Sequence, residues 1–454
     1  MTADHSDAPI AGTAAPRWLP WLFAAAGLVF DLIAYWPGQM SFDSAYAWWQ
    51  VRGGATTDIV PPVFVLVWRV CDALLAGPGL VFALHLVLFW CGLALLVRAL
   101  RFGALAAVAG MLIVAWAPVV LLLRGHVWTD VGLFSALTFA AGALATAQAG
   151  SQRRWLLFAL PALVYAGALR HNALPAVLPF ALWLGWLVGR ARTGTAARLR
   201  CALGAAAPIV LSVLLMLSAG ASVQTRVPLW PMLAQWDLAA ISIAADEMLL
   251  PDFMIGPGLD VPELAEAFRP WSTSPMLQNT RHGMHDPLGE NYSATQLTRL
   301  RQTWLAAIAA HPRAWLAHRW HLTRALFGNH GLDWPHELVF VDDEVAYRDN
   351  PPIARNSSAL HRFLLRPAQA LASTPVLAAW PYLLIGLAAV PAAWRRRRAA
   401  SGSIALIALA SAWLYALPFT LIAASAELRY LGWPCVASLL AAICAWLAPR
   451  PSAR

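Results

Sequence analysis

Apolar runs long enough to cross a bilayer recur along this chain, and the short polar breaks between them alternate between arginine-rich and acid-bearing. A membrane-crossing helix needs about 17–25 mostly apolar residues. Ten segments answer to that pattern: 18–36, 79–97, 103–123, 130–148, 155–169, 173–189, 201–221, 376–393, 403–423 and 433–448. The run 63–76 is too short and is interrupted by Arg69 and Asp72, so it reads as a helix lying at the membrane interface. The pattern predicts an all-α polytopic membrane protein of about ten transmembrane helices, with interface helices in the first periplasmic loop. Residues 1–17, polar and Ala/Pro-rich, are expected to be a disordered cytoplasmic tail, and 449–454 a second one. The first span contains Asp31 and shows no small-residue cleavage site, so it reads as an uncleaved helix and not as a signal peptide.

The longest polar interval, 222–375, separates spans 18–221 from spans 376–448 and holds eight of the twelve His. It is long enough to fold as a small, mostly helical periplasmic loop domain.

Charge sets the orientation. The loops after even-numbered spans carry Arg98, Arg101, Arg153, Arg154, Arg190, Arg192, Arg198, Arg200 and Arg395 to Arg398, with no acid among them. The positive-inside rule makes these loops, and both termini, cytoplasmic. Odd-numbered spans then exit on the periplasmic side of a bacterial inner membrane. Those exits carry Asp43, Asp130, Arg170-His171-Asn172 and Glu427-Leu428-Arg429-Tyr430. Ionisable residues at membrane depth are costly and face a cavity or a partner, so their collection on one face points to chemistry there.

Composition agrees: of 454 residues 60% are hydrophobic and 12% charged, where a soluble chain carries about a quarter charged. Every basic residue is Arg, so the pI of about 9.9 implies neither phosphate nor nucleic-acid binding. The five Cys lie in or beside apolar runs and read as small buried hydrophobes. There is no Gly-rich phosphate loop, Gly-x-Ser-x-Gly elbow or His-Glu-x-x-His, which argues against nucleotide chemistry and soluble-type hydrolysis.

Each candidate residue has two readings. Asp43 follows the turn dipeptide Pro37-Gly38. It can take a proton from an incoming hydroxyl, or Ser41 or Asp43 can cap a helix over 44–51. Asp130 either holds an acceptor or supports Asp43, with Arg124 attracting an anion, or it caps span four together with Thr129. Arg170, beside His171 and Asn172, offers phosphate a planar fork or anchors a helix end at the interface. Arg429, beside Tyr430, binds phosphate or pairs with Glu427. The clusters His282-Gly283-Met284-His285-Asp286 and His318-Arg319-Trp320-His321 lack a third ligand at a recognised spacing, so no metal is expected. The second cluster falls in Trp304–Phe327, read as an amphipathic interface helix. Trp230, Trp236, Trp271, Trp304, Trp315, Trp320 and Trp334 suit an interfacial layer.

With Trp36-Pro37-Gly38, Ser41-Phe42-Asp43-Ser44, Asp58-Ile59-Val60-Pro61-Pro62, Asp130 and the two Arg motifs, the chain resembles GT-C-type membrane glycosyltransferases, the protein O-mannosyltransferase and aminoarabinose-transferase-like group. The resemblance implies a polyprenyl-phosphate-linked sugar donor, inverting transfer outside the cytoplasm, and a lipid, glycan or protein acceptor. It implies Asp43 as general base, Asp130 as the second carboxylate, and Arg side chains that stabilise the leaving lipid phosphate. No cofactor is expected; two acids can hold a divalent cation, but the group typically works without one. The alternative class is a transporter or flippase of a lipid-linked or anionic envelope precursor. Such proteins tend to show repeated halves and broken helices at the bilayer midplane, whereas these acids, Asp31 excepted, gather at one face.

Overall fold

The computed structural model describes residues 14–150, 152–190, 193–328, 347–353, 356, 358–372 and 374–449; residues 1–13 and 450–454 of the two expected tails, Arg192 and Trp334 lie outside them. Among the described residues the secondary structure is helical, with β pairing limited to isolated bridges. The first half runs α1 (Leu19–Tyr35), α2 (Phe42–Val51), α3 (Pro62–Leu74), α4 (Gly79–Ala99), α5 (Ala104–Ala115) and α6 (Pro118–Arg124). It continues with α7 (Thr129–Ala149), α8 (Trp155–Ala168), α9 (Leu174–Gly189) and α10 (Gly194–Gly220). The loop domain contributes α11 (Trp230–Ala245), α12 (Val261–Ala267), α13 (Ser274–Gln278), α14 (Ala294–Ala310), α15 (Pro312–Leu326) and α16 (Ala359–Leu371). The chain closes with α17 (Trp380–Arg395), α18 (Ala400–Ile422) and α19 (Gly432–Trp446).

Five segments are long and apolar enough to cross a membrane: α4, α7, α10, α18 and Leu428–Trp446, which includes α19. The protein is therefore a multi-pass helical membrane protein. The expected span 103–123 is the broken pair α5–α6, bent by 66°. Pro118 opens α6 and has no N–H to donate to the preceding turn. Helices α1, α8 and α9 are apolar but shorter, at 17, 14 and 16 residues, and α17 also has 16.

Helices α7 and α19 lie inside the bundle, whereas α10 is largely exposed on its outside. Helix α4 runs against α7, α9 against α10, and α19 against both α17 and α18. The α4–α7 crossing is close because both helices present glycine. A Cβ on Gly92 would sit 2.5 Å from the backbone of Phe139, and one on Gly142 would strike the Gly92 carbonyl. Small residues allow this approach where lipid supplies no hydrophobic drive between helices.

Helix α3 matches the short run expected at 63–76, and its two charges serve α2. Arg69 donates to the carbonyls of Gln50 (2.8 Å) and Val51 (3.3 Å), while Asp72 accepts from the Trp48 indole (3.1 Å) and the Gly77 amide (2.7 Å).

Residues 304–327, expected as one amphipathic helix, form two. The break falls at His311-Pro312, where Pro312 starts α15. Three of the tryptophans expected in an interfacial layer also turn inward. Trp236 is fully buried, and the indoles of Trp304 and Trp315 both donate to Asp237 in α11, at 3.0 and 3.1 Å.

Candidate functional site

The site forms where four distant helix ends meet. Gly38, at φ +107°, turns the chain from α1 toward α2; a Cβ there would stand 2.5 Å from Val127 Cγ2. Only glycine adopts that backbone region without strain, and its absent side chain lets the Asp43 segment lie on the Asp130 segment. Gln39 and His126 then pair as a parallel bridge, the Gln39 amide donating to the Gly125 carbonyl (2.8 Å) and the Val127 amide to the Gln39 carbonyl (3.0 Å). Ser44 Oγ donates to the Val127 carbonyl (2.8 Å) and the Trp128 indole to Ser41 Oγ (2.8 Å). These bonds stitch the residues flanking Asp43 to those preceding Asp130.

Neither acid acts as a cap. Ser41 and Trp128 are the residues at the N-cap positions, and neither makes a side-chain capping bond. Asp43 and Asp130 sit in the first turns of α2 and α7, where the helix dipole favours negative charge. Each carboxylate meets an arginine. Arg429 Nη2 lies 2.5 Å from Asp43 Oδ2, and its Nε pairs with Glu427; Arg170 Nη1 pairs with Asp130 Oδ1. Arg429 thus makes the expected pair with Glu427 and also reaches the candidate base.

Tyr430 links the two pairs. The Arg170 guanidinium stands 4.9 Å from its ring centroid and that of Arg429 5.6 Å. Arg429 also faces Trp128 at 5.1 Å, and Trp128 stacks on His126 with centroids 3.9 Å apart. Guanidinium groups over aromatic faces gain cation–π energy, more when desolvated. Burial works against the charge on Arg170, but Asp130 together with Tyr415 and Tyr430 outweighs it and holds the guanidinium above its ordinary value. The Asp43 side chain is 57% exposed, whereas those of Asp130, Arg170 and Arg429 are 4%, 17% and 10% exposed. One acid faces outward while the second acid and both cations lie beneath it.

Of the other sequence candidates, Asn172 Oδ1 accepts from Arg170 Nε at 3.5 Å, and His171 is exposed beside it. Arg124 stands elsewhere. It is fully buried, grips both oxygens of Asp31 at 2.8 Å and donates to the Ala115 carbonyl at 2.7 Å. That carbonyl is the last of α5, so Arg124 satisfies backbone at the α5–α6 break, the condition for broken helix at membrane depth. With the Trp90 indole also on Asp31 (2.6 Å), the acid within span one is committed to structure, and Arg124 turns no free face to an anion.

Two participants had little sequence signal. Ser425 Oγ donates to Glu427 Oε1 (2.9 Å) and lies 3.1 Å from the Tyr430 hydroxyl, and Trp128 lines Arg429. The Trp128-Thr129-Asp130 run is the one clue to the latter. In the loop domain His282 pairs with Glu263 and His285 with Glu290. Among the described residues no group of three or more His, Cys, Asp or Glu is placed to hold a metal ion. The five cysteines are free, with Cys435 and Cys444 buried.

No protein-family model, curated protein or solved structure matches the chain, so the residues themselves carry its assignment: a multi-pass helical membrane protein with two acid–arginine pairs joined through Tyr430.

Proposed function

We propose that this protein is an inverting membrane glycosyltransferase that moves a sugar from a polyprenyl-phosphate-linked donor to a hydroxyl acceptor on the periplasmic face of a bacterial inner membrane. The observation that carries the reading is the arrangement of one outward-facing carboxylate, Asp43, over two arginines held on a shared tyrosine. Asp43 accepts the proton of the acceptor hydroxyl as that oxygen bonds to the anomeric carbon. The bond from that carbon to the phosphate oxygen breaks, and its electron pair leaves with the lipid phosphate. Arg429 turns from Asp43 to the phosphate and Arg170 adds the second cation, so charge developing on the leaving group meets two guanidinium groups. Asp130 anchors Arg170, and Glu427 anchors Arg429.

The test is to incubate purified protein with a panel of polyprenyl-phosphate sugars and acceptors and to identify the product by mass. A transferred sugar with released polyprenyl phosphate is expected from wild type, and a rate about 10²–10⁴-fold lower from a folded Asp43→Asn variant. Substrate crossing a vesicle membrane with no product, or full transfer by Asp43→Asn, overturns the assignment.

A further inference from the structure

We infer that Arg319 of the loop domain is a positioning residue for Arg429, acting through the extended segment 423–427 that precedes it. The clasp begins at two adjacent residues of α11. Asp237 is fully buried and accepts from three side chains, Arg319 Nη2 at 2.5 Å and the Trp304 and Trp315 indoles, while His318 Nε2 stands 3.5 Å away without a hydrogen bond. The other arm of Arg319 donates to the Ala423 carbonyl at 2.9 Å, where α18 ends. Next to Asp237, the Trp236 indole donates to the Arg269 carbonyl at 3.2 Å, at the start of a turn closed by the Arg269–Ser272 bridge. Ser272 bridges Ser425, and the Ala426 amide donates to the Trp271 carbonyl at 2.9 Å.

Both ends of the 423–426 stretch are thus tied, through Arg319 and through the 269–272 turn, to neighbouring residues of α11. Beyond the stretch, Ser425 Oγ fixes Glu427, Glu427 pairs with Arg429, and Arg429 meets Asp43. A guanidinium is required at 319 because one planar fork must serve a carboxylate and a carbonyl together, which an ammonium cannot do in the same geometry. The pair is also costly to bury unless geometry is excellent, and here the second arm of Arg319 carries it across to the end of α18. The role in transfer rests on the proposed glycosyltransferase reading; the mechanical link does not.

The test uses the full chain in lipid nanodiscs, with Arg319→Lys and two readouts. Amide hydrogen exchange reports the link without any activity: exchange over residues 423–431 is expected to speed up about tenfold, with α4 and α7 unchanged. Transfer from a polyprenyl-phosphate sugar reports the consequence: kcat is expected to fall about tenfold or more with donor KM within about twofold, since misplacing a catalytic group taxes the transition state. Unchanged exchange over 423–431 overturns the inference, as does a loss of protection spread evenly over the bundle. Faster exchange there with unchanged kcat also overturns it. If wild type transfers no sugar, the glycosyltransferase reading fails, and the exchange data alone decide whether Arg319 holds the segment. Should Arg319→Lys not fold, Ser425→Ala breaks the same chain beside Glu427, leaves the Asp237 cluster whole, and is judged on the same criteria.

Discussion

Asp43 Oδ2 and Arg429 Nη2 stand 2.5 Å apart although 386 residues separate them in the chain. One belongs to the first turn of α2 and the other to the short turn before α19, so the ion pair closes the bundle end to end. Asp43→Asn keeps the side chain's size and removes its proton affinity. We expect transfer to drop by about 10²–10⁴-fold, with insertion and thermal unfolding close to wild type because the side chain is more than half exposed. Product mass and a melting curve on the same preparation check both halves.

The two arginines predict a graded response. Arg429→Lys keeps the charge but cannot span Glu427 and Asp43 with one fork, and it gives up the ring faces of Trp128 and Tyr430. A loss of about 10²–10³ in kcat is expected, the scale for removing one oriented donor from a developing charge. Parallel kinetics with donor and acceptor varied separately measure it.

Asp130→Asn leaves Arg170 largely buried without its carboxylate. A destabilisation of about 3–5 kcal/mol is expected, and adding Arg170→Gln should recover part of it, since an unpaired buried charge costs more than a missing pair. Thermal unfolding of the two singles and the double variant gives the coupling.

Arg124→Met should lower stability by about 3–5 kcal/mol by stranding the Asp31 carboxylate and the Ala115 carbonyl. The molecules that remain folded should transfer sugar at the wild-type rate. A specific loss of turnover at unchanged melting temperature would return Arg124 to the site.

His318 lies outside the spans, and burial together with Arg319 and His321 pushes its imidazole down to about 3 from an ordinary 6.5. The unfolded imidazole therefore takes up a proton at a higher pH than the folded one. Its contribution is complete above pH 6.5 and is lost as the pH falls toward 3, with a slope of about 1.4 kcal/mol per pH unit. Denaturant melts across that window should show a shallower decline in His318→Leu.

Much of the site is legible in the sequence because acids and arginines at span ends stand out against long apolar runs. Asp43, Asp130, Arg170 and Arg429 are found that way, and the structure brings all four together. Arg124 shows the limit. It shares a polar break with Asp130 and looks alike in kind, but its partner Asp31 is 93 residues away in another helix, and no local pattern reveals that pairing. The Asp237–Arg319 clasp is hidden for the same reason, with 82 residues between its members, and the His-x-x-His spacing draws the eye to the imidazoles instead. Span lengths mislead more mildly. Hydropathy sees one continuous apolar run over 103–123, whereas the backbone breaks at Pro118; the runs at 155–169 and 173–189 return as α8 and α9 to within one residue.

The Gln39–His126 bridge gives the two acids a common fate. Because the backbones leading to Asp43 and Asp130 are bonded to each other on both sides of one residue pair, they translate as one piece, and relative sliding of α1 and α6 would have to break that ladder first. The cationic half is mounted separately, Arg170 on the α8–α9 turn and Arg429 beyond the segment the loop domain grips. The acids share one mounting, and each arginine keeps its own.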